Sequence, residues 1–229
     1  MRTTRFWAFL PYAVAAVVNL AAELGGLGGP AAWSQWALMP LLIVAVLATL
    51  RPLRTPVTPW LLLGLLFSWA GDVLFGLSFV FGLGAFLCAQ VSYIVAFTRR
   101  PVAGGNPAWR PWRIAIYAVL FGVLLGLLAA HVGAMLPAVI VYGLALCTMA
   151  ALASRASRLL EIAGYVFLLS DSLLALRLFR PDLPIPLSGF WVMLTYIAAE
   201  AGIAIGVTRA VRRSLSSAQI AWADAATPS

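Results

Sequence analysis

Two aspartates stand alone inside long apolar runs: Asp72, after Gly71 in the stretch 60–77, and Asp171, between Ser170 and Ser172 in the stretch 159–178. A carboxylate at bilayer depth costs on the order of a few kcal/mol or more, so such acids mark a site or a pathway and call for a partner. Each supplies the other's. Paired intramembrane carboxyls can pass a proton to a substrate, relay protons or cations, or ligate a hard cation such as Mg²⁺ or Ca²⁺.

Helix rise gives their depth. Asp72 lies twelve residues after Trp60 and Asp171 twelve after Leu159, which puts both roughly 18 Å from the same membrane face if the two helices run the same way. Gln90 and Glu200 lie nine residues before Arg99 and Arg209 on helices running back, about 13 Å from that face. One polar cavity between the third, fourth, seventh and eighth helices is therefore expected. Its catalytic candidates are Asp72 and Asp171, with Ser68, Gln90, Tyr93, Ser170, Tyr196 and Glu200 in support. Ser68, one turn from Asp72, is a candidate hydrogen-bond partner for it. The same uncharged residues also read as hydrogen-bonding glue between helices. Arg177 is expected not to pair with Asp171, because six residues turn it about 240° around the helix.

The elements that must hold these groups follow from composition. The chain is 63% hydrophobic and only 10% charged, with a mean hydropathy of +1.00, too little polar surface for a water-soluble globule. We read an all-α, polytopic membrane bundle of eight spans near 6–23, 33–50, 60–77, 79–97, 112–130, 133–153, 159–178 and 187–208. Residues 1–213 form one transmembrane domain on this reading, and 214–229 a mobile cytoplasmic tail. The net charge of +8 comes from arginine without lysine, spread between the apolar runs, so nucleic acid is not an expected partner. With both termini in the cytoplasm, every arginine except Arg177 and Arg180 falls inside, which is the positive-inside pattern of a plasma-membrane protein.

Smaller features fit that frame. On the first span, which we read as retained rather than cleaved, Tyr12, Asn19 and Glu23 share a face and read as a patch at the outer interface. Gly25 to Pro30 is an outer loop, and the longest inner loop, Arg99 to Arg113 with Trp109 and Trp112, suits anchoring at anionic headgroups. Cys88 and Cys147 read as small buried hydrophobes. His131 is the lone histidine and falls at an outer turn. Without a Gly-x-Ser-x-Gly elbow or a set of His and Cys ligands, a serine lipase and a zinc hydrolase are disfavoured. No cofactor is expected.

Two blocks carry a family resemblance. Leu66-Phe67-Ser68-Trp69-Ala70-Gly71-Asp72, followed by Gly82-Leu83-Gly84-Ala85-Phe86 and Tyr93-Ile94-Val95-Ala96-Phe97, resembles the core of the YhhN-like lysoplasmalogenase family. Phe167-Leu168-Leu169-Ser170-Asp171-Ser172, with Thr195-Tyr196-Ile197-Ala198-Ala199, is similar to its second block. The resemblance implies an integral-membrane hydrolase acting on a membrane lipid, cleaving the vinyl ether of lysoplasmalogens to a fatty aldehyde and a glycerophospho-base. Asp72 and Asp171 match its two acidic positions. The chain departs from it at Met39-Pro40 in place of Lys-Pro, at Gln90 in place of His, and at Glu200 in place of Gln or His. The competing reading is a lipid or small-solute transporter that uses the same acids as a relay, since midplane acids mark such pathways equally well.

Overall fold

Proline sets where three of the helices begin. Pro11, Pro59 and Pro137 occupy the first turns of α1 (Leu10–Leu24), α3 (Thr58–Phe75) and α6 (Leu136–Ala156), where an amide hydrogen would have no intrahelical partner anyway. The remaining helices are α2 (Gly28–Thr49), α4 (Phe79–Thr98), α5 (Arg113–Val132), α7 (Arg158–Phe179) and α8 (Ser188–Ala225). This computed structural model describes residues 7–50, 55–103 and 110–225. Arg2, Arg5, Arg51, Arg54 and Trp109 lie outside them.

Seven continuous helical stretches among the described residues are long and apolar enough to cross a membrane. One of them, Arg113–Ala156, is 44 residues long and holds both α5 and α6, joined through a short 3-10 turn at Gly133–Met135. Run straight it would extend about 66 Å, twice the hydrocarbon thickness. It folds back instead. Gly133 takes φ +57°, a conformation open to glycine, and the two helices then pack antiparallel, with the Phe121 ring over Gly143 and the Cys147 thiol facing the Tyr117 carbonyl at 3.8 Å.

The chain is a multi-pass membrane protein, and its surface shows it. Val17, Phe81, Val119 and Val123 are all more than half exposed, an outward apolar face that suits lipid rather than water. Cys88 belongs to that face, which corrects the expectation that it is buried. Two other expectations shift. The outer loop shrinks to Gly25–Leu27, because α2 begins at Gly28 and carries Pro30 in its first turn, and α8 runs past 208 to Ala225, so the segment from Ser214 continues the helix.

Packing assembles the bundle from antiparallel pairs. The most extensive contacts are α3 on α4 and α7 on α8, followed by α1 on α2, and the α4–α6 contact joins the halves. Glycine sets the closest approaches. At Gly64 a Cβ would lie 2.2 Å from the Tyr93 ring, and at Gly71 it would lie 2.8 Å from Phe86, so these aromatic rings rest directly on the α3 backbone. Two polar devices fix the helix ends. Ser157 caps α7, and Glu161 in its first turn takes Arg158 at 2.8 Å and Arg113 from α5, binding α5 to α7 where the positive end of the α7 dipole also favours a carboxylate. Pro40, in the middle of α2, cannot supply the amide hydrogen that the Trp36 carbonyl needs. The Trp69 indole of α3 does so instead, at 3.0 Å.

Candidate functional site

A cavity of about 380 Å³ runs between the helices, and both aspartates line it. Its walls are mostly apolar: Phe75, Phe79 and Phe86 on one side, Phe121, Leu124 and Leu128 on the other. All eight helices contribute, rather than the four expected. A few polar groups set in an apolar pocket of this size are what a small-molecule or single-chain lipid site requires.

Asp72 is built into the wall. Gln35 of α2 donates its Nε2 hydrogen to one carboxylate oxygen at 2.9 Å, and the Tyr196 hydroxyl of α8 donates to the other at 2.9 Å. The Tyr196 ring is held in turn by edge contacts from Phe86 and Phe167, with centroids 6.2 and 6.0 Å away, so its hydroxyl direction is fixed by packing. Asp171 is held less tightly. Tyr142 of α6 donates to one of its oxygens, and the other has no donor among the described residues. Neighbouring Ser170 bonds away from the acid, to the Val192 carbonyl at 3.0 Å, and ties α7 to α8.

Glu200 corrects the single-cavity expectation. It is fully buried and does not line the cavity; its carboxylate accepts Ser68 at 2.7 Å and Tyr93 at 2.6 Å. Ser68 therefore serves Glu200 and not Asp72. Ser68, Tyr93 and Glu200 form a closed polar cluster behind the cavity wall, with Gly64 making room for the tyrosine ring. Gln90 is fully buried as well, and among the described residues neither of its amide atoms meets a partner in hydrogen-bonding geometry. Equal depth did not bring all the acids to one place. Of the supporting candidates, Tyr196 and Ser170 line the cavity with the aspartates, whereas Ser68, Gln90, Tyr93 and Glu200 do not.

The face on α1 divides too. Tyr12 and Asn19 are buried rather than interfacial: Tyr12 donates to the Ile197 carbonyl at 2.8 Å, and Asn19 bonds the Ala31 carbonyl at 2.9 Å and Ser34 at 3.1 Å. Glu23, at the end of the same helix, lines the cavity together with Arg177. Arg177 makes no ion pair with Asp171, as its rotation along α7 predicted. His131 is exposed in the last turn of α5.

Sequence reasoning missed Gln35 and Tyr142, the side chains that hold the two acids from α2 and α6. The available signal was polar residues in otherwise apolar spans, but nothing local ties Gln35 to an acid 37 residues away or Tyr142 to one 29 away. Among the described residues no group of three or more His, Cys, Asp or Glu could hold a metal ion.

What the arrangement can do is bounded by its atoms. Two carboxyls from different helices face one apolar space, the first with both oxygens occupied by donors and the second with one oxygen open. No curated protein and no solved structure shows significant similarity to the chain. A family match does exist, covering residues 31–207 and hence every residue of both acid sites. The chain belongs to the YhhN family.

Proposed function

We propose that this protein is a plasma-membrane hydrolase that cleaves the vinyl ether bond of lysoplasmalogen-type lysophospholipids, using Asp72 and Asp171. The proposal includes eight spans with both termini in the cytoplasm. The observation that carries it is the shared cavity, in which two carboxyls on different helices meet an apolar space suited to one hydrocarbon chain.

Vinyl ether hydrolysis begins with a proton on carbon. Protonating the carbon one removed from the ether oxygen leaves an oxocarbenium ion at the carbon bearing that oxygen. Water adds there and loses a proton, and the resulting hemiacetal collapses to a fatty aldehyde and the glycerol hydroxyl. The reaction consumes one water and returns the proton it borrowed. It needs one carboxyl able to present an O–H and one carboxylate able to steady the cation and guide water, a division of labour also used by glycosidases. Asp171 is the better donor on geometry, since of the two only it keeps an oxygen free of donors among the described residues. Asp72, with Gln35 and Tyr196 on its two oxygens, is the fixed anion.

The test is aldehyde release by the purified protein from an alkenyl lysophospholipid, compared with its saturated alkyl-ether analogue. Release from the alkenyl lipid alone supports the reading. No release from either sinks it and favours the transporter.

A further inference from the structure

The cavity has a charged end. Glu23 at the close of α1 and Arg177 in the last turn of α7 both line it, and both reach Gly189 in the first turn of α8. A methyl group on Gly189 would sit 2.2 Å from the Glu23 carboxylate and 3.3 Å from the Arg177 guanidinium. Yet the pair is not closed: their charged atoms stand beyond the 4.0 Å of an ion pair, and neither forms a salt bridge or hydrogen bond with another described side chain. Two opposite charges thus flank a glycine notch without making direct contact.

We propose that Glu23, Gly189 and Arg177 form a headgroup clamp that selects a lipid with a zwitterionic phospho-ammonium head, Arg177 taking the phosphate and Glu23 the ammonium. The clamp rests on the hydrolase reading and names the substrate's polar half.

Lengths support it. In a phosphoethanolamine or phosphocholine head the two charges lie about 4.5 Å apart at standard bond lengths, and the two side chains that flank Gly189 likewise stand more than 4.0 Å apart. The head's dipole, laid antiparallel to that of the clamp, completes two ion pairs that the protein alone leaves unmade. Depth agrees. Arg177 is six residues beyond Asp171, about 9 Å along α7. In a lysophospholipid the ether oxygen is roughly 6 Å from phosphorus and 10 Å from nitrogen, so a head held at the clamp sets the ether bond at the level of the aspartates. An anionic head without the ammonium gains Arg177 but meets Glu23 unscreened, and discrimination of this kind rests as much on repulsion as on attraction.

The experiment uses full-length protein in detergent and alkyl-ether lysophospholipids, which bind but have no vinyl bond to cleave. Affinities for phosphoethanolamine, phosphocholine and bare phosphate heads are measured by tryptophan quenching for wild type, Glu23→Gln, Arg177→Gln and Gly189→Ala, each checked for folding by size exclusion. Wild type is expected to prefer the zwitterionic heads. Glu23→Gln should weaken zwitterionic binding about tenfold while leaving the bare phosphate head no worse off, and Arg177→Gln should weaken both. Gly189→Ala, whose methyl displaces only the flexible end of Glu23, should copy the selectivity loss of Glu23→Gln. Equal loss for every head in Glu23→Gln and Gly189→Ala, or no loss for any head in Arg177→Gln, overturns the clamp. Aldehyde release from the alkenyl lipids is followed in parallel. Head selectivity without aldehyde keeps the clamp and defeats the hydrolase, whereas aldehyde at rates indifferent to head and to these variants keeps the hydrolase and defeats the clamp.

Discussion

Tyr196 and Glu200 stand one turn apart on α8 and serve separate compartments. The tyrosine donates to Asp72 at the cavity wall, while the glutamate receives Ser68 and Tyr93 in the closed interior. Removing one hydroxyl from each system should therefore have unlike effects. A hydrogen bond to a charged group is worth about 1.5–3 kcal/mol, so Tyr196→Phe, which loosens the fixed anion, should slow turnover roughly ten- to a hundredfold. Tyr93→Phe should chiefly lower the melting temperature, since it leaves a buried carboxylate short of a donor. Rates and thermal melts on the two purified variants decide it, and a Tyr93→Phe variant with normal stability and the greater loss of rate would move the proposed chemistry to Glu200.

The two aspartates carry the strongest expectation. Asn keeps the shape but can neither donate the acid proton nor hold a negative charge, so Asp72→Asn and Asp171→Asn should each lose about 10² to 10⁴-fold in aldehyde release. Chelator should leave the wild type unaffected. A well-folded Asn variant near the wild-type rate breaks the two-carboxyl mechanism, and loss of activity on chelation points instead to an oxygen-ligated metal.

Topology can be read independently of activity. Reporter fusions at Arg100, Gly133, Ser157 and Pro184 should report cytoplasm, exterior, cytoplasm and exterior, following the arginine bias. An exterior signal at Arg100 would invert the arrangement.

The Trp69 indole should matter only because Pro40 exists. Trp69→Phe leaves the Trp36 carbonyl bare and should cost about 1–3 kcal/mol of stability. In a Pro40→Ala background the helix supplies its own hydrogen, and the same change should cost much less. A double-mutant cycle on thermal or denaturant unfolding measures the difference, and equal costs in both backgrounds would remove the link.

That Asp72 and Asp171 would share one cavity was legible, because a lone charge in an apolar run has few innocent explanations. Helix positions were legible for the same reason in reverse, since a span must be long and apolar, and the expected 79–97 meets the observed Phe79–Thr98. Azimuth was not legible. Helix rise placed Glu200 near the depth of the aspartates, but depth says nothing about which way a side chain turns, and Glu200 turns toward Ser68 and Tyr93. Gln35 and Tyr142 were hidden because an uncharged polar residue is common in membrane helices, and its meaning depends on a neighbour that folding supplies. Tyr12 and Asn19 were assigned to the interface from a shared face alone; that face turns inward to α8 and α2.

The indole bond across α2 and α3 bears on how the chain enters the membrane. As synthesis proceeds α2 emerges before α3, and by itself it would carry one backbone oxygen into hydrocarbon with nothing to cap it, at a cost of several kcal/mol. Only the arrival of α3 supplies the cap, from Trp69, and the same antiparallel alignment sets Gln35 against Asp72. The two helices have reason to be inserted together as a hairpin, so a defect in the seam between them would be felt at the ribosome and translocon before it was felt at Asp72.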